Sequence, residues 1–297
     1  MSKIHIIDLN FFGNTHAVAA FAVETSEGLV LVETGPYSTF PALRQGVEAL
    51  GYQLEDIKHV LLSHIHLDHA GAAWALAATG AQIYVHPQGI RHLEDPSRLM
   101  QSAKMIYQDQ MDRLWGDMRA IAPERLRAVE HGESIVIGDT IFKAWHTPGH
   151  AVHHIAWQLG DIAFTGDVGG VRIDGGLVAP PCPPPDINVE DWQDSIALLN
   201  SLNLAAVYLT HFGKITTVAT HLSELENRLL SWAAWMKPYY DQQTDLAVVT
   251  PLFQAFVHKE LSDCGLDAAA LARYEVANPS WMSVAGLLRY WKKKAGG

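Results

Sequence analysis

The chain has 297 residues, of which 48% are hydrophobic and 18% are charged, and its formal net charge is −11. This composition excludes a disordered chain, and the acidic balance argues against a general nucleic-acid binder, which usually presents a basic face. The length allows one large domain or two modest ones, with a well-buried core in either case.

Short β-rich segments alternate with helical segments over residues 1–87. The helical spacing at 39–51 stops at Gly51 and that at 70–80 stops at Gly80, and glycine is common just past a helix end. The predicted order is β-β-β-α-β-α-β. The strands are predicted at 3–9, 17–25, 28–34, 58–64 and 81–87.

Residues 88–122 interrupt this alternation. The segment 98–122 is helical in pattern, with Met, Ile and Trp on one face and charged residues on the other, so a helical insertion is expected. Aromatic residues at helical spacing are usually packing residues. The insertion is also a candidate lid or homodimer contact.

Strands resume in the second half of the chain. They are followed by a Gly- and Pro-rich loop at 168–186, a helix at 188–202 and a further strand at 205–211. From about residue 218 the pattern is wholly helical, with breaks expected at Pro238, Pro251 and Pro279. The strands before the loop are predicted at 134–138, 140–147, 153–160 and 162–167.

These patterns predict an α+β protein in which two sheets pack together with helices outside. The expected organisation is a sheet-bearing domain at 1–220 that carries the insertion at 88–122. A helical C-terminal extension at 221–297 would pack on that core.

The densest chemical feature is the segment HVLLSHIHLDHAGAAWAL at 59–76. His64 and His66 are two residues apart, so in an extended segment they point the same way; Asp68 continues the alternation and His69 precedes a predicted helix. Neutral imidazole and carboxylate are ligands that divalent zinc or iron prefers. The cluster therefore predicts a metal site at the carboxyl end of a buried strand.

Three further ligand-type residues stand at the ends of apolar strands: His150 in WHTPGH, Asp167 in AFTGD and His211 in VYLTH. A lone histidine at a strand end is more often structural than a ligand. Three such ends downstream of a dense His/Asp motif favour ligands, and they supply the partners that the cluster lacks for two metal ions.

The series H-x-H-x-D-H, T-P-G-H, T-G-D and a strand-end histidine resembles the metallo-β-lactamase-fold metallo-hydrolase superfamily, which includes glyoxalase II and lactonase-like members. The resemblance covers about residues 4–240 and implies a four-layer αββα sandwich with a dinuclear metal site at one edge of its sheets. One departure is Glu33 in VLVETG, where the superfamily usually has an aspartate that supports a ligand without binding metal itself.

The resemblance also implies two ligand groups joined by one shared residue. The ions would be two divalent metals, zinc foremost, with iron or manganese as alternatives. Asp68 would in addition orient the nucleophile, which makes it the candidate catalytic residue. The implied groups are His64, His66 and His150 for one metal and Asp68, His69 and His211 for the other, with Asp167 bridging both.

Two such metal ions lower the pKa of bound water from about 15.7 to about 7 and polarise an acyl oxygen. The chain has no G-x-S-x-G motif, which agrees with a metal-bridged hydroxide as nucleophile. We therefore predict a metal-dependent hydrolase of a small ester, thioester or lactone. An iron-dependent oxidoreductase or dioxygenase of the same fold, or a phosphodiesterase, remains the alternative.

His16 follows a predicted loop, and Arg172 lies in the loop that leaves the metal edge directly after Asp167, so both are candidates for the substrate pocket. The expected partner is a small-molecule substrate, with neither nucleic acid nor membrane. The two cysteines, Cys182 and Cys264, form no CxxC pattern, and the first residues are charged too early for a signal peptide. A cytoplasmic location is therefore expected.

Overall fold

A computed structural model describes residues 3–296, which form two six-stranded sheets with helices around them. The first sheet has its strands in chain order, antiparallel from β1 to β3 and parallel from β3 to β6. Its strands are β1 (Ile4–Asp8), β2 (Ala19–Thr25), β3 (Gly28–Val32), β4 (His59–Leu61), β5 (Gln82–Val85) and β6 (Leu126–Ala128).

The second sheet has the reverse order, from β12 to β7, and its pairs are antiparallel except for β10 and β11, which run parallel. Its strands are β7 (Ser134–Ile137), β8 (Thr140–His146), β9 (Ile155–Leu159), β10 (Ile162–Phe164), β11 (Ala206–Leu209) and β12 (Gly213–Ile215).

The helices flank the sheets, and short 3₁₀ turns join several elements. Three helices lie between strands of the first sheet ahead of the insertion, and three more form the insertion. The remaining helices lie in the second half of the chain. They are α1 (Phe40–Ala49), α2 (Leu67–Ala70), α3 (Ala73–Ala78), α4 (Ile90–Glu94), α5 (Ser97–Tyr107), α6 (Met111–Leu114), α7 (Val189–Ser201), α8 (Val218–Asp241), α9 (Leu246–Asp263), α10 (Ala268–Ala277) and α11 (Ser280–Lys294).

Three apolar clusters hold four layers together. The central cluster lies between the sheets and includes Phe21, Phe142 and Trp157, each fully buried. A second cluster joins the outer face of the first sheet to α1 and α3, and a third joins the second sheet to α7 and the C-terminal helices. The protein is therefore an α+β, αββα sandwich with a helical C-terminal extension, as the sequence predicts.

Trp157 is the residue whose loss should most weaken the contact between the sheets. Its ring is fully buried and its indole N–H donates to the Leu62 carbonyl at 2.9 Å. We expect Trp157→Ala to lower the free energy of unfolding by about 3–5 kcal/mol, because it removes a large buried side chain and leaves a cavity. The control is Val136→Ala on the same sheet, where the side chain is 66% exposed. It should change the free energy of unfolding by less than about 0.5 kcal/mol. Urea titrations of the two variants measure both changes.

The predicted helix breaks at Pro238 and Pro251 are wrong, whereas the break at Pro279 is confirmed. Pro238 lies inside α8 and Pro251 inside α9, and the chain turns after each helix instead. A proline removes one backbone hydrogen bond, but packing continues past it: Phe253, Val257 and Leu261 of α9 are buried beyond Pro251, and Tyr239 of α8 is half-buried against the third apolar cluster. Pro279 precedes the first residue of α11, where its missing N–H costs nothing.

The prediction of a helix over 98–122 holds only in part. Helices α5 and α6 cover its first two thirds, but residues 115–122 are irregular and pack Met118 and Ile121 into the core. The short edge strands β6 and β12 were not predicted, because three residues carry too little periodicity to be recognised. No helix within 3–296 is long and apolar enough to cross a membrane.

Candidate metal centre

The polar strand ends meet at one edge of the two sheets. The H-x-H-x-D-H segment connects β4 to α2, His150 follows β8, Asp167 follows β10 and His211 follows β11. Strands β4, β10 and β11 each have a parallel neighbour, and parallel strands deliver their carboxyl ends to the same edge. The fold thus brings together His64, His66, Asp68, His69, His150, Asp167 and His211.

Four of these residues, His64, His66, His150 and Asp167, form the first group, whose ligand atoms all lie within 4.8 Å of one another. The Nδ1 atom of His66 is 2.9 Å from Nε2 of His64 and 3.0 Å from Nε2 of His150. Three imidazole nitrogens therefore converge on one point, beside a carboxylate.

Asp68, His69 and His211 form the second group, again with ligand atoms within 4.8 Å. Oδ2 of Asp68 is 3.6 Å from Nε2 of His211 and 3.9 Å from Nε2 of His69. The Asp68 side chain is 21% exposed, whereas both imidazoles are buried.

Asp167 connects the two groups. Its Oδ2 is 3.2 Å from Nε2 of His150 in the first group. Its Oδ1 is 3.2 Å from Nε2 of His69 and 3.3 Å from Nε2 of His211 in the second. A single carboxylate thus presents one oxygen to each group.

Three buried atoms in this centre have no hydrogen-bond partner in the described chain: Nε2 of His69, Nε2 of His211 and Oδ1 of Asp167. They are close to one another but lack the alignment of a hydrogen bond. An unpaired buried polar atom costs about 1–3 kcal/mol, so a native protein rarely retains three together without a ligand. Imidazole nitrogen and carboxylate oxygen suit zinc, iron or manganese, and the residues therefore fit a pair of divalent cations.

The ring nitrogens that face away from the centre are held by the surrounding chain. A backbone carbonyl can only accept, so the ring nitrogen next to it carries the proton and the opposite Nε2 keeps its lone pair for a metal. In the first group Nδ1 of His64 is 2.9 Å from the Ser63 hydroxyl. The two carbonyl contacts are His150 Nδ1 to Pro181 at 2.8 Å and His211 Nδ1 to Ala17 at 2.7 Å.

Glu33 holds the remaining second-group imidazole. Its Oε1 is 3.1 Å from Nδ1 of His69, and its Oε2 accepts the backbone N–H of Ser63 at 3.3 Å. The side chain is buried, and its backbone φ of 67° is uncommon for a residue other than glycine. Glu33 therefore supports His69 from outside the candidate centre, in the position where the superfamily usually has an aspartate.

We expect Glu33→Ala to weaken metal binding at the second group by about 10–100-fold, because it frees the ring that Glu33 orients. Glu33→Gln should lose less, since its amide oxygen can still accept from Nδ1 of His69. Metal titration of each metal-free variant measures both effects. Equal affinity in wild type and Glu33→Ala would show that Glu33 does not support the ligand.

The pKa values of the imidazoles shift in opposite directions in the two groups. Burial lowers the pKa of His64 and of His66 well below the usual value, so these imidazoles are neutral and ready to bind a metal. Burial also opposes charge on His69, but the carboxylates of Asp167 and Glu33 outweigh it and raise its pKa well above normal. These carboxylates therefore favour positive charge at the second group.

His16 and Arg172 lie elsewhere than the substrate cavity. The His16 ring stacks on Phe212 at 4.6 Å and its Nδ1 is 3.1 Å from Asp174. The Arg172 guanidinium pairs with Glu224 at 3.1 Å. Neither is among the residues that line the cavity beside the metal centre.

That cavity has a volume of about 1200 Å³ and reaches His66, Asp68, His150, Asp167 and His211. Its other walls come from the insertion, from the proline-rich segment at 181–186 and from residues 275–289 of the C-terminal helices. The insertion was a candidate lid and the loop after Asp167 a candidate for the pocket, whereas the C-terminal helices were expected only to pack on the core. The periodic apolar residues of α5 indicated a face that contacts other apolar groups, but periodicity does not identify those groups.

Comparisons with known proteins agree with this geometry. The sequence profile described as "Metallo-beta-lactamase superfamily" matches residues 13–211. The metallo-beta-lactamase fold-containing protein ST1585 of Sulfurisphaera tokodaii is 25% identical over 183 residues, which are 58% of this chain and 67% of that protein. Thioesterase pkgB of Emericella nidulans is 27% identical over 214 residues, which are 69% of this chain but only 49% of that protein.

Solved structures show the same fold. The metallo-beta-lactamase family protein TTHA1429 from Thermus thermophilus superposes with a TM-score of 0.68 at 18% identity, covering 98% of this chain and 94% of that one. The crystal structure of ST1585 superposes with a TM-score of 0.64 at 20% identity, covering 78% and 86%. The wider coverage of the first indicates that the C-terminal helices also have a counterpart there.

Proposed function

The chain belongs to the metallo-β-lactamase superfamily, and from this premise we propose that it is a hydrolase of esters, thioesters or lactones that depends on two divalent metal ions, zinc foremost. The observation that carries the proposal is the Asp167 carboxylate, which presents one oxygen to each of two ligand groups. A carboxylate shared in this way is what a dinuclear centre requires.

The two groups would each hold one ion. When bound, two divalent ions lower the pKa of water and polarise an acyl oxygen, so that no serine or cysteine nucleophile is needed. The chain's own part is to fix the ligands before the metals arrive. Ser63, Glu33 and two backbone carbonyls do so from outside the centre.

Asp68 is the residue placed to handle protons. It is the more exposed of the two carboxylates in the centre, and it faces the cavity. Oδ2 of Asp68 lies 3.6 Å from Nε2 of His211, and the carboxylate lines the cavity in which an attacking water would be held. We assign to Asp68 the acceptance of the proton that this water loses and its delivery to the leaving group.

The choice of acyl substrates rests on two supports. The cavity beside the centre is walled mostly by apolar and aromatic side chains, which suit a neutral acyl group better than a nucleic-acid backbone. The Emericella nidulans relative is named a thioesterase, and this supports a thioester among the substrates.

A substrate panel tests the proposal. The zinc-loaded protein should cleave at least one of a short ester, a thioester and a lactone, lose that activity with a chelator and leave a phosphodiester intact. Oxygen consumption by iron-loaded protein without acyl cleavage would favour the dioxygenase alternative instead. Cleavage of the phosphodiester alone would make the protein a phosphodiesterase.

A further inference from the structure

The cavity at the metal centre is large for a short ester. Its volume of about 1200 Å³ exceeds the roughly 300–1000 Å³ of most small-molecule sites. Much of its wall is apolar and far from the ligand residues in the chain. The apolar lining residues that are distant in sequence from the ligand residues include Phe11, Leu114, Trp115, Trp281 and Met282.

Apolar side chains also stand exposed where the cavity opens. Met105 is 70% exposed, and Ile106 and Val152 are each 43% exposed, yet all three line this cavity. A contiguous apolar surface that is open to water usually marks a site for an apolar ligand or partner. Here these side chains line the same cavity as the candidate metal ligands. The apolar part of a substrate is therefore the occupant that fits.

Three arginines line the same cavity from three different helices: Arg91 on α4, Arg98 on α5 and Arg289 on α11. None of them forms an ion pair within residues 3–296, although Arg91 contacts His92 at 3.2 Å and Arg289 donates to the Pro185 carbonyl at 3.3 Å. Some arginines elsewhere pair with carboxylates, as Arg172 does with Glu224, whereas Arg44 and Arg113 contact aromatic rings and form no ion pair within residues 3–296.

Two carboxylates outside the candidate metal centre also line the cavity, and neither forms an ion pair with these arginines within residues 3–296. Glu275 is occupied by the Ser280 backbone N–H at 3.2 Å and by His258 at 3.2 Å. Asp186 is half-buried and acts electrostatically on His92. Arg98 acts electrostatically on Asp95, but in a chain of net charge −11 three exposed guanidinium groups that form no ion pair within the described residues still concentrate positive charge around one cavity.

We propose that the substrate is amphiphilic: an acyl compound with an apolar chain and an anionic group, carboxylate or phosphate, that Arg91, Arg98 and Arg289 bind. The apolar chain would lie along the aromatic wall between the insertion and the C-terminal helices. Guanidinium groups suit carboxylate and phosphate because their N–H groups bind both oxygens at once. The inference rests on the proposed hydrolysis and names its substrate class.

Calorimetric binding of three ten-carbon probes, decanoate, decyl phosphate and decanol, tests the inference. Metal-depleted protein is used first, because an anion cannot then be held by the metals. At least one anion should bind tenfold or more tighter than decanol, and decanoate should bind tenfold or more tighter than butyrate. The stronger of decanoate and decyl phosphate identifies the anionic group.

The double variant Arg98→Gln, Arg289→Gln should lose the preference for anions and still bind decanol, and its binding of decanol shows that the variant is folded. Arg44→Gln, an exposed arginine that does not line the cavity, is the matched control and should keep the preference. Equal binding of decanol and both anions, or an anion preference that survives the double variant, would overturn the inference.

Hydrolysis by the zinc-loaded wild type separates the two proposals. If the wild type cleaves no acyl substrate, the proposed function fails while the binding preference is still measured. If hydrolysis is found and the preference is absent, only the amphiphilic substrate class is wrong.

Discussion

Asp167→Ala is expected to abolish hydrolysis, because it removes the one residue that both metal ions of the proposed centre would share. The variant should retain less than one equivalent of metal, because the first group loses its only carboxylate and the second loses the oxygen nearest two of its imidazoles. Metal ions contribute several kcal/mol of transition-state stabilisation, and about 1.4 kcal/mol is tenfold in rate. The expected loss in kcat/KM is therefore on the order of 10³ or more.

Elemental analysis and acyl hydrolysis of the same preparation measure both effects. The control is Asp161→Ala, an exposed aspartate on the turn before β10 whose loss should leave metal content and rate unchanged. Two equivalents of metal in Asp167→Ala would mean that the carboxylate does not bridge the groups. A far-UV circular dichroism spectrum like that of the wild type would exclude a folding defect as the cause of the loss.

Asp68→Asn should separate metal binding from proton transfer. Asparagine keeps the shape of the side chain and an oxygen that can bind metal, but it cannot accept a proton near neutral pH. General acid–base catalysis contributes about 10²–10⁴ in rate, and we expect a loss of this size in kcat. The first group does not include Asp68, so its metal should remain bound.

Excess zinc distinguishes the two roles of Asp68. If Asp68 only binds metal, saturating zinc restores the rate of Asp68→Asn. If it also moves the proton, the rate stays low with both sites filled, and this is the expected result. Asp161→Asn, which removes an exposed carboxylate before β10, is the control for the loss of one negative charge.

Two packed sheets with helices outside, and ligand-type residues at strand ends, could be predicted from local patterns, whereas the four-layer αββα order and the grouping of the seven residues were implied by the resemblance to the superfamily. Period-two runs mark the strands, and the ligands stand at strand ends that a parallel arrangement delivers to one edge. His66 and Asp167 illustrate this: each was expected at the centre, and each lies there.

Other features depend on contacts that no local pattern records. The Ala17 and Pro181 carbonyls orient ligands through backbone atoms, which any residue at those positions offers. His16 and Arg172 were expected at the pocket because of their place in loops, yet they pack against Phe212 and Glu224. The cavity walls come from the insertion and the C-terminal helices. These segments are far apart in sequence and line one cavity only in the folded chain, so local patterns do not predict it.

The measurement that tests the account most directly is a zinc titration of the metal-depleted wild-type protein, followed by calorimetry and by recovery of acyl hydrolysis. Two equivalents of zinc should bind, and the rate should become maximal only when the second is bound. Saturation at one equivalent with full activity, or no binding at all, would contradict a dinuclear centre bridged by Asp167.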